Sequence, residues 1–192
     1  MTLRAGTKNC LRRRSSRKID LVSLDLKDRR ILGIALIIVV LPAGYLVWDT
    51  YFRTEAGIDV GSKATDFTVV NPDGEVFTLS EHLGEVVVID FMAIWCGPCK
   101  AEIAELRELH ENEETVTIVS VEIDPTTRTD AFIDYIEEND FRWFVGSSPE
   151  TLRTYEVSLI PTILVVDRQG IIRYRGTYTT YETLQGLVTE YN

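Results

Sequence analysis

Two cysteines separated by two residues stand in Trp95-Cys96-Gly97-Pro98-Cys99-Lys100. An apolar, strand-like run precedes them at Val86–Met92, and a run with helical spacing follows at Ala101–Leu106. The cysteines therefore fall at the first turn of a helix, where unpaired N–H groups and the positive dipole end stabilise a thiolate. The thiolate is the attacking species in thiol–disulfide exchange, so this layout points to redox chemistry. Cys96, nearer the helix start, is expected to be the more exposed thiol and to attack first. Cys99 then has to lose its proton while less exposed, which calls for a nearby base. Two carboxylates are candidates. Asp90 stands near the end of the apolar strand, where burial raises a carboxyl pKa toward neutrality; its plainer role is a strand residue that reaches solvent. Glu102 lies on the helix; its plainer role is a solvated residue in a run with Glu105 and Glu108.

A structural zinc takes four ligands, and the chain has no second cysteine pair; His82 and His110 lack ligand spacing to the first. No metal and no cofactor is expected beyond the Cys96–Cys99 disulfide itself. Trp95 either packs beside the disulfide or serves as a plain core aromatic. Gly97 lets a partner backbone approach, and Pro98 suits the first helical turn, where its missing N–H costs nothing.

The elements that must hold these residues read as a mixed α/β domain. Phe67–Val70 and Glu75–Leu79 flank Asn71-Pro72-Asp73-Gly74, a hairpin turn. Val86–Met92, apolar but for Asp90, suits a central strand buried on both faces. The pattern then predicts a helix over Gly97–Asn112, a strand over Val116–Ile123, a helix capped around Thr127–Asp130 and running to Asn139, and a short strand over Phe141–Val145. Ser148-Pro149-Glu150 reads as a helix start with Ser as cap and Pro at the first position. Thr162–Val166 and Ile171–Tyr174 form a second hairpin around Asp167-Arg168-Gln169-Gly170, and Thr179-Thr180-Tyr181-Glu182 reads as a capping box for the last helix.

The chain is divided sharply by charge. Residues 1–30 carry ten Lys and Arg against three Asp, a balance of +7, while the whole chain is −10, which leaves −17 for the rest. Residues 31–48 carry no charge and span roughly 27 Å as a helix, close to the hydrocarbon thickness of a bilayer. Tyr45, Trp48 and Tyr51 fall where an interfacial aromatic belt sits. The expected organisation is a basic cytoplasmic tail (1–30), a single transmembrane anchor (31–48), a linker (49–62) and a catalytic domain outside the cell membrane (63–192). Cys96 and Cys99 then lie on the side where disulfides persist; Cys10, in the tail, reads as incidental. The acidity of the outer domain argues against nucleic acid as a partner, because a polyanion is repelled.

Taken in order, the strand, the Cys-x-x-Cys and the terminal hairpin resemble the thioredoxin superfamily over roughly residues 58–190. Asp90–Lys100 is similar to the thioredoxin active-site stretch, and Ile160-Pro161-Thr162 resembles its cis-proline loop. The N-terminal hairpin, the central αβ insertion and the anchor narrow the resemblance to TlpA/ResA-like extracytoplasmic oxidoreductases. In that group a glutamate often follows the second cysteine by three residues, as Glu102 does; Asp90 departs from the group's frequent Asn and matches thioredoxin instead. The resemblance implies a three-layer thioredoxin-like sandwich preceded by one transmembrane helix. It implies a cis Ile160–Pro161 bond that presents the Ile160 backbone to a substrate strand, and a Pro98 that helps set the reduction potential. It also implies a disulfide-containing protein substrate, electrons from a membrane thiol donor, and cytochrome c maturation as the setting. Two other activities have partial support. A thiol peroxidase of the alkyl hydroperoxide reductase/thiol-specific antioxidant type shares the N-terminal hairpin but expects Thr where Ala93 stands. A copper carrier of similar fold uses a wider cysteine spacing and a distant His.

Overall fold

The computed structural model describes residues 37–42, a short helical stretch, and residues 56–192. Among the described residues no helix is long and apolar enough to cross a membrane. The predicted tail, most of the predicted anchor and half of the linker lie outside the described residues.

Nine strands are present among the described residues. β1 (Ala56–Gly57) and β2 (Lys63–Ala64) form a short parallel pair. The others are β3 (Thr68–Val70), β4 (Val76–Thr78), β5 (Val86–Met92), β6 (Val116–Glu122), β7 (Phe144–Ser147), β8 (Thr162–Val166) and β9 (Ile172–Gly176). They make one mixed sheet in the order β4-β3-β7-β6-β5-β8-β9. β5, β6 and β7 run parallel, while β8 and β9 on one side and β3 and β4 on the other are antiparallel additions.

All seven residues of β5 are buried, and the two-residue period of a strand divides them between two cores. Val87, Ile89 and Phe91 pack with Phe67, Phe77 and Tyr155 on one face. Val86 and Val88 pack with Leu106, Leu109, Leu184 and Val188 on the other. Those last four residues come from helices α1 (Gly97–Asn112) and α4 (Tyr181–Tyr191). Helices α2 (Thr129–Asn139) and α3 (Thr151–Thr154) complete the described helical set, with a 3-10 turn at Leu79–His82. A third cluster gathers Met92, Cys96, Cys99 and Ile103 with Phe132 and Tyr135 of α2, so the cysteines sit at one end of the sheet.

The first hairpin, β5, α1 and the second hairpin occupy the predicted places. Three helix starts and one strand differ, because the side chains there bond or pack elsewhere. The strand that the pattern places over Phe141–Val145 is β7, which begins three residues later at Phe144. Phe141 packs against the rings of Tyr135 and Trp143 instead, and Gly146 lets β7 meet β3, its missing Cβ standing where Val70 O lies 2.7 Å away. Ser148 is not a cap: its hydroxyl donates to Thr68 O at 2.7 Å, and α3 begins at Thr151. Thr127 does not cap α2, which starts at Thr129; its hydroxyl donates to Glu122 Oε1 at 3.2 Å. The Thr179–Glu182 capping box does not form. The Thr179 hydroxyl donates to Thr177 O, and the Tyr181 N–H that opens α4 donates at 2.8 Å to Glu105 Oε2 of α1.

Gly146 gives a direct check on this packing. A Cβ there would stand 2.6 Å from Val69 Cγ1 and 2.7 Å from Val70 O. Gly146→Ala is expected to lower stability by about 1–3 kcal/mol, the range for an overpacked core. Urea unfolding measures it, and an unchanged midpoint would contradict the placement of β7 against β3.

Candidate functional site

β5 ends at Met92, and a turn closed by Cys96 N–H to Ala93 O at 2.9 Å leads into α1. Cys96 is the N-cap of that helix. Its sulfur accepts the N–H of Cys99 at 3.2 Å, so one of the unpaired donors of the first turn points at the atom that carries the charge of a thiolate. Cys96 and Cys99 are joined as a disulfide, with Cα atoms 5.3 Å apart. Gly97 and Pro98 are exposed beside them. Cys96 is 4% exposed and Cys99 1%, so the expected order of exposure holds but the difference is small, because both pack into the cluster formed with α2.

Asp90 does not reach solvent; it is fully buried. Burial pushes its carboxyl up to about 7, opposed by a hydrogen bond from Ser120 Oγ to Oδ2 at 2.9 Å. The Trp143 indole N–H donates in turn to Ser120 Oγ at 3.0 Å, which commits the serine hydrogen to the carboxylate. Asp90 Oδ1 has no partner among the described residues, so it is the oxygen free to take a proton. Glu102 is not a solvated helix residue either. It is fully buried one turn beyond Cys99, and both its oxygens accept the Thr179 N–H, at 3.2 and 3.0 Å. Burial lifts Glu102 to about 8; the Thr179 bond opposes this, and the charges of Asp90 and Glu105 add to the rise. The fold therefore brings the two sequence candidates into one buried environment under α1. Groups that titrate near neutral pH can accept a thiol proton there and release it.

Trp95 is not a core aromatic. It is 67% exposed, and its indole N–H donates to Asp124 Oδ2 at 2.6 Å. The Ile160–Pro161 bond is cis, as the family resemblance implied, and Ile160 packs against the cluster that holds both cysteines. Trp95, Asp124, Pro125, Leu159 and Ile160 line a groove of about 330 Å³ whose lining is mainly apolar. Leu159 on its rim is 67% exposed.

Sequence reasoning missed Ser120, Glu122, Asp124, Trp143 and Thr179. The legible signal was Ser120 and Glu122 themselves, which with Thr117 are the polar residues of a strand otherwise made of Val and Ile. Their partners follow from the parallel register, which sets Asp90 beside Ser120 and Met92 beside Glu122.

The AhpC/TSA family pattern matches residues 60–175. The thiol-disulfide oxidoreductase ResA of Bacillus thuringiensis is 27% identical over 151 residues, covering 76% of this chain and 86% of that protein. The thioredoxin-like protein YneN of Bacillus subtilis is 28% identical, covering 81% of this chain and 94% of its own length. A crystal structure from Chlorobium tepidum, assigned as a thiol:disulfide interchange protein DsbE, superposes with a TM-score of 0.63 at 27% identity, covering 70% of this chain and 98% of that one. The fold is thus the thioredoxin-like α/β fold with a mixed sheet, and the chain keeps the disulfide pair of a thiol–disulfide oxidoreductase.

The Asp90 environment fixes a pH dependence. Its native pKa of about 7 lies above the ordinary 3.8, so between those values the folded chain binds more protons than the unfolded one. Stability then falls as pH rises through that window. Asp90→Asn is expected to stabilise the fold by about 2–4 kcal/mol at pH 8 and to change little at pH 4. Denaturant unfolding at the two pH values checks this, and equal stability of wild type and variant at pH 8 would contradict the buried carboxylate.

Proposed function

We propose that this chain, which belongs to the AhpC/TSA family, is a membrane-anchored oxidoreductase that reduces disulfides of partner proteins outside the cell membrane. The observation that carries the reading is the helix-cap geometry, in which the Cys96 sulfur receives the Cys99 N–H at the start of α1. In the reduced enzyme the Cys96 thiolate attacks a partner disulfide, forming a mixed disulfide and releasing one partner thiol. Cys99 gives its proton to the buried carboxylates Asp90 and Glu102 and attacks Cys96 Sγ. The second partner thiol leaves, and the enzyme is left as the Cys96–Cys99 disulfide. Trp95, Gly97, Pro98, Ile160 and Pro161 form the surface that receives the partner chain. A membrane thiol donor returns the two electrons.

Residues 31–48 anchor the chain in the bilayer, with the basic tail 1–30 in the cytoplasm and the linker 49–62 leading to the domain 63–192; this part rests on hydropathy and the charge asymmetry. Cytochrome c maturation is the setting the TlpA/ResA resemblance favours. The family match also keeps a peroxidase in view. Ala93, three residues before Cys96, supplies no hydroxyl to a peroxide, so peroxide consumption by the full chain is expected to be negligible.

Removing the resolving thiol tests the order of attack. Cys99→Ser in the full chain is expected to accumulate dithiothreitol-sensitive adducts with partner proteins on non-reducing gels, and Cys96→Ser to form none. Adducts that persist without Cys96, or that never form, would overturn the assignment.

A further inference from the structure

We infer that Glu122 is a positioning residue: it fixes Trp95 beside the Cys96–Cys99 pair by tying together the two loops that hold that side chain, and through Trp95 it sets the affinity for a protein disulfide. The parallel ladder of β5 and β6 ends at Met92 and Glu122, where the two strands diverge into separate loops. One loop runs through Ala93 and Ile94 to Trp95; the other runs through Ile123 to Asp124 and Thr127. Past the ladder these loops keep one backbone link, Ile123 N–H to Met92 O at 3.1 Å; the Glu122 carboxylate and the Trp95–Asp124 bond supply the rest.

Glu122 is fully buried, and among the described residues no Lys or Arg forms an ion pair with it. Its oxygens are satisfied by loop donors alone. Oε2 accepts the Ile94 N–H at 2.8 Å, and Oε1 accepts the Asp124 N–H at 2.8 Å and the Thr127 hydroxyl at 3.2 Å. Trp95 is held from both directions by this arrangement. Its backbone follows Ile94 directly, and its indole N–H donates to Asp124, whose Oδ1 is itself pinned by Thr126 N–H and Oγ1 at 2.8 and 2.7 Å. An exposed tryptophan would otherwise sample several rotamers, at a cost in affinity whenever a partner orders it.

A carboxylate suits this task and an amide does not. The two loops present only donors, and a carboxylate has acceptor oxygens for both. Glutamine has the same shape but turns one oxygen into a donor, which would face a loop N–H. A buried carboxylate is costly unless it is fully hydrogen-bonded, so its presence here is matched to the three donors it meets.

The affinity part of this inference rests on the proposed reductase function, so the experiment has one arm that needs no activity. The full chain in detergent micelles, labelled with 5-fluorotryptophan, carries three tryptophans, Trp48, Trp95 and Trp143; the resonance lost in Trp95→Phe assigns Trp95. Glu122→Gln is expected to shift or broaden the Trp95 resonance and leave that of Trp143 in place. With a disulfide-bonded protein substrate, the same variant is expected to raise KM about five- to tenfold while kcat stays within about twofold. In a Trp95→Phe background Glu122→Gln is expected to add nothing further, the sign of two residues acting as one unit. Glu122→Asp keeps the charge but loses the reach to span both loops, and is expected to show the same split. An unmoved Trp95 resonance in a folded variant, or KM effects that add independently of Trp95, would overturn the inference. A wild-type chain that reduces no protein disulfide would overturn the function instead, and the fluorine spectrum would still decide whether Glu122 holds Trp95.

Discussion

Water is excluded from both faces of β5, and the sheet nevertheless places carboxylates in and beside that strand. Asp90 lies within β5, Glu122 ends the neighbouring β6, and Glu102 looks in from α1, all three fully buried. A charge in such a place is destabilising unless donors surround it or its pKa moves. The chain uses both solutions. Glu122 has donors on both oxygens; Asp90 has one committed oxygen and one bare one, and Glu102 shares a single backbone N–H. Burial raises all three; at Glu122 the bonds from Asp124, Ile94 and Thr127 oppose the rise and join two loops, while Asp90 at about 7 and Glu102 at about 8 sit near neutrality, where a proton can come and go.

The same economy of acceptors shapes the helix ends. α4 begins without a side-chain cap of its own, because Glu102 and Glu105 of α1 take the Thr179 and Tyr181 N–H groups. Negative charge at a helix N-terminus is favourable whichever segment supplies it. α1 is thereby tied to α4 through Glu102 and Glu105, and Leu106 and Leu109 pack against Leu184 and Val188, so the Cys96–Cys99 turn stands on a well-anchored helix. Rigid support of this kind suits a pair that has to present one sulfur to a partner and the other to its own proton acceptor.

Much of this was legible from the sequence, and the limits were physical. β5, α1 and both hairpins follow from local rules: apolar period, helix-start chemistry at Gly97-Pro98, and Asp-Gly or Gln-Gly turns. The redox pair and its two candidate bases were legible for the same reason, because type and spacing are local. What could not be read was pairing across the sheet. Ser120 is unremarkable in a strand until the register sets it beside Asp90, and Glu122 looks like a strand-end charge until the two loops close over it. Thr127, Ser148 and Thr179 all carry valid local cap signals, but their hydroxyls bond elsewhere, to Glu122, to Thr68 O and to Thr177 O. The burial of Glu102 likewise depended on which elements cover it.

In the proposed function the Cys96–Cys99 pair is a reductant of protein disulfides. The most direct test is the reduction potential of that pair in the full chain, by equilibration against a dithiothreitol or glutathione couple. A reductase pair is expected to show a value near that of thioredoxin, about −270 mV. A value near about −120 mV, typical of strong disulfide donors, would contradict it and reverse the direction of electron flow.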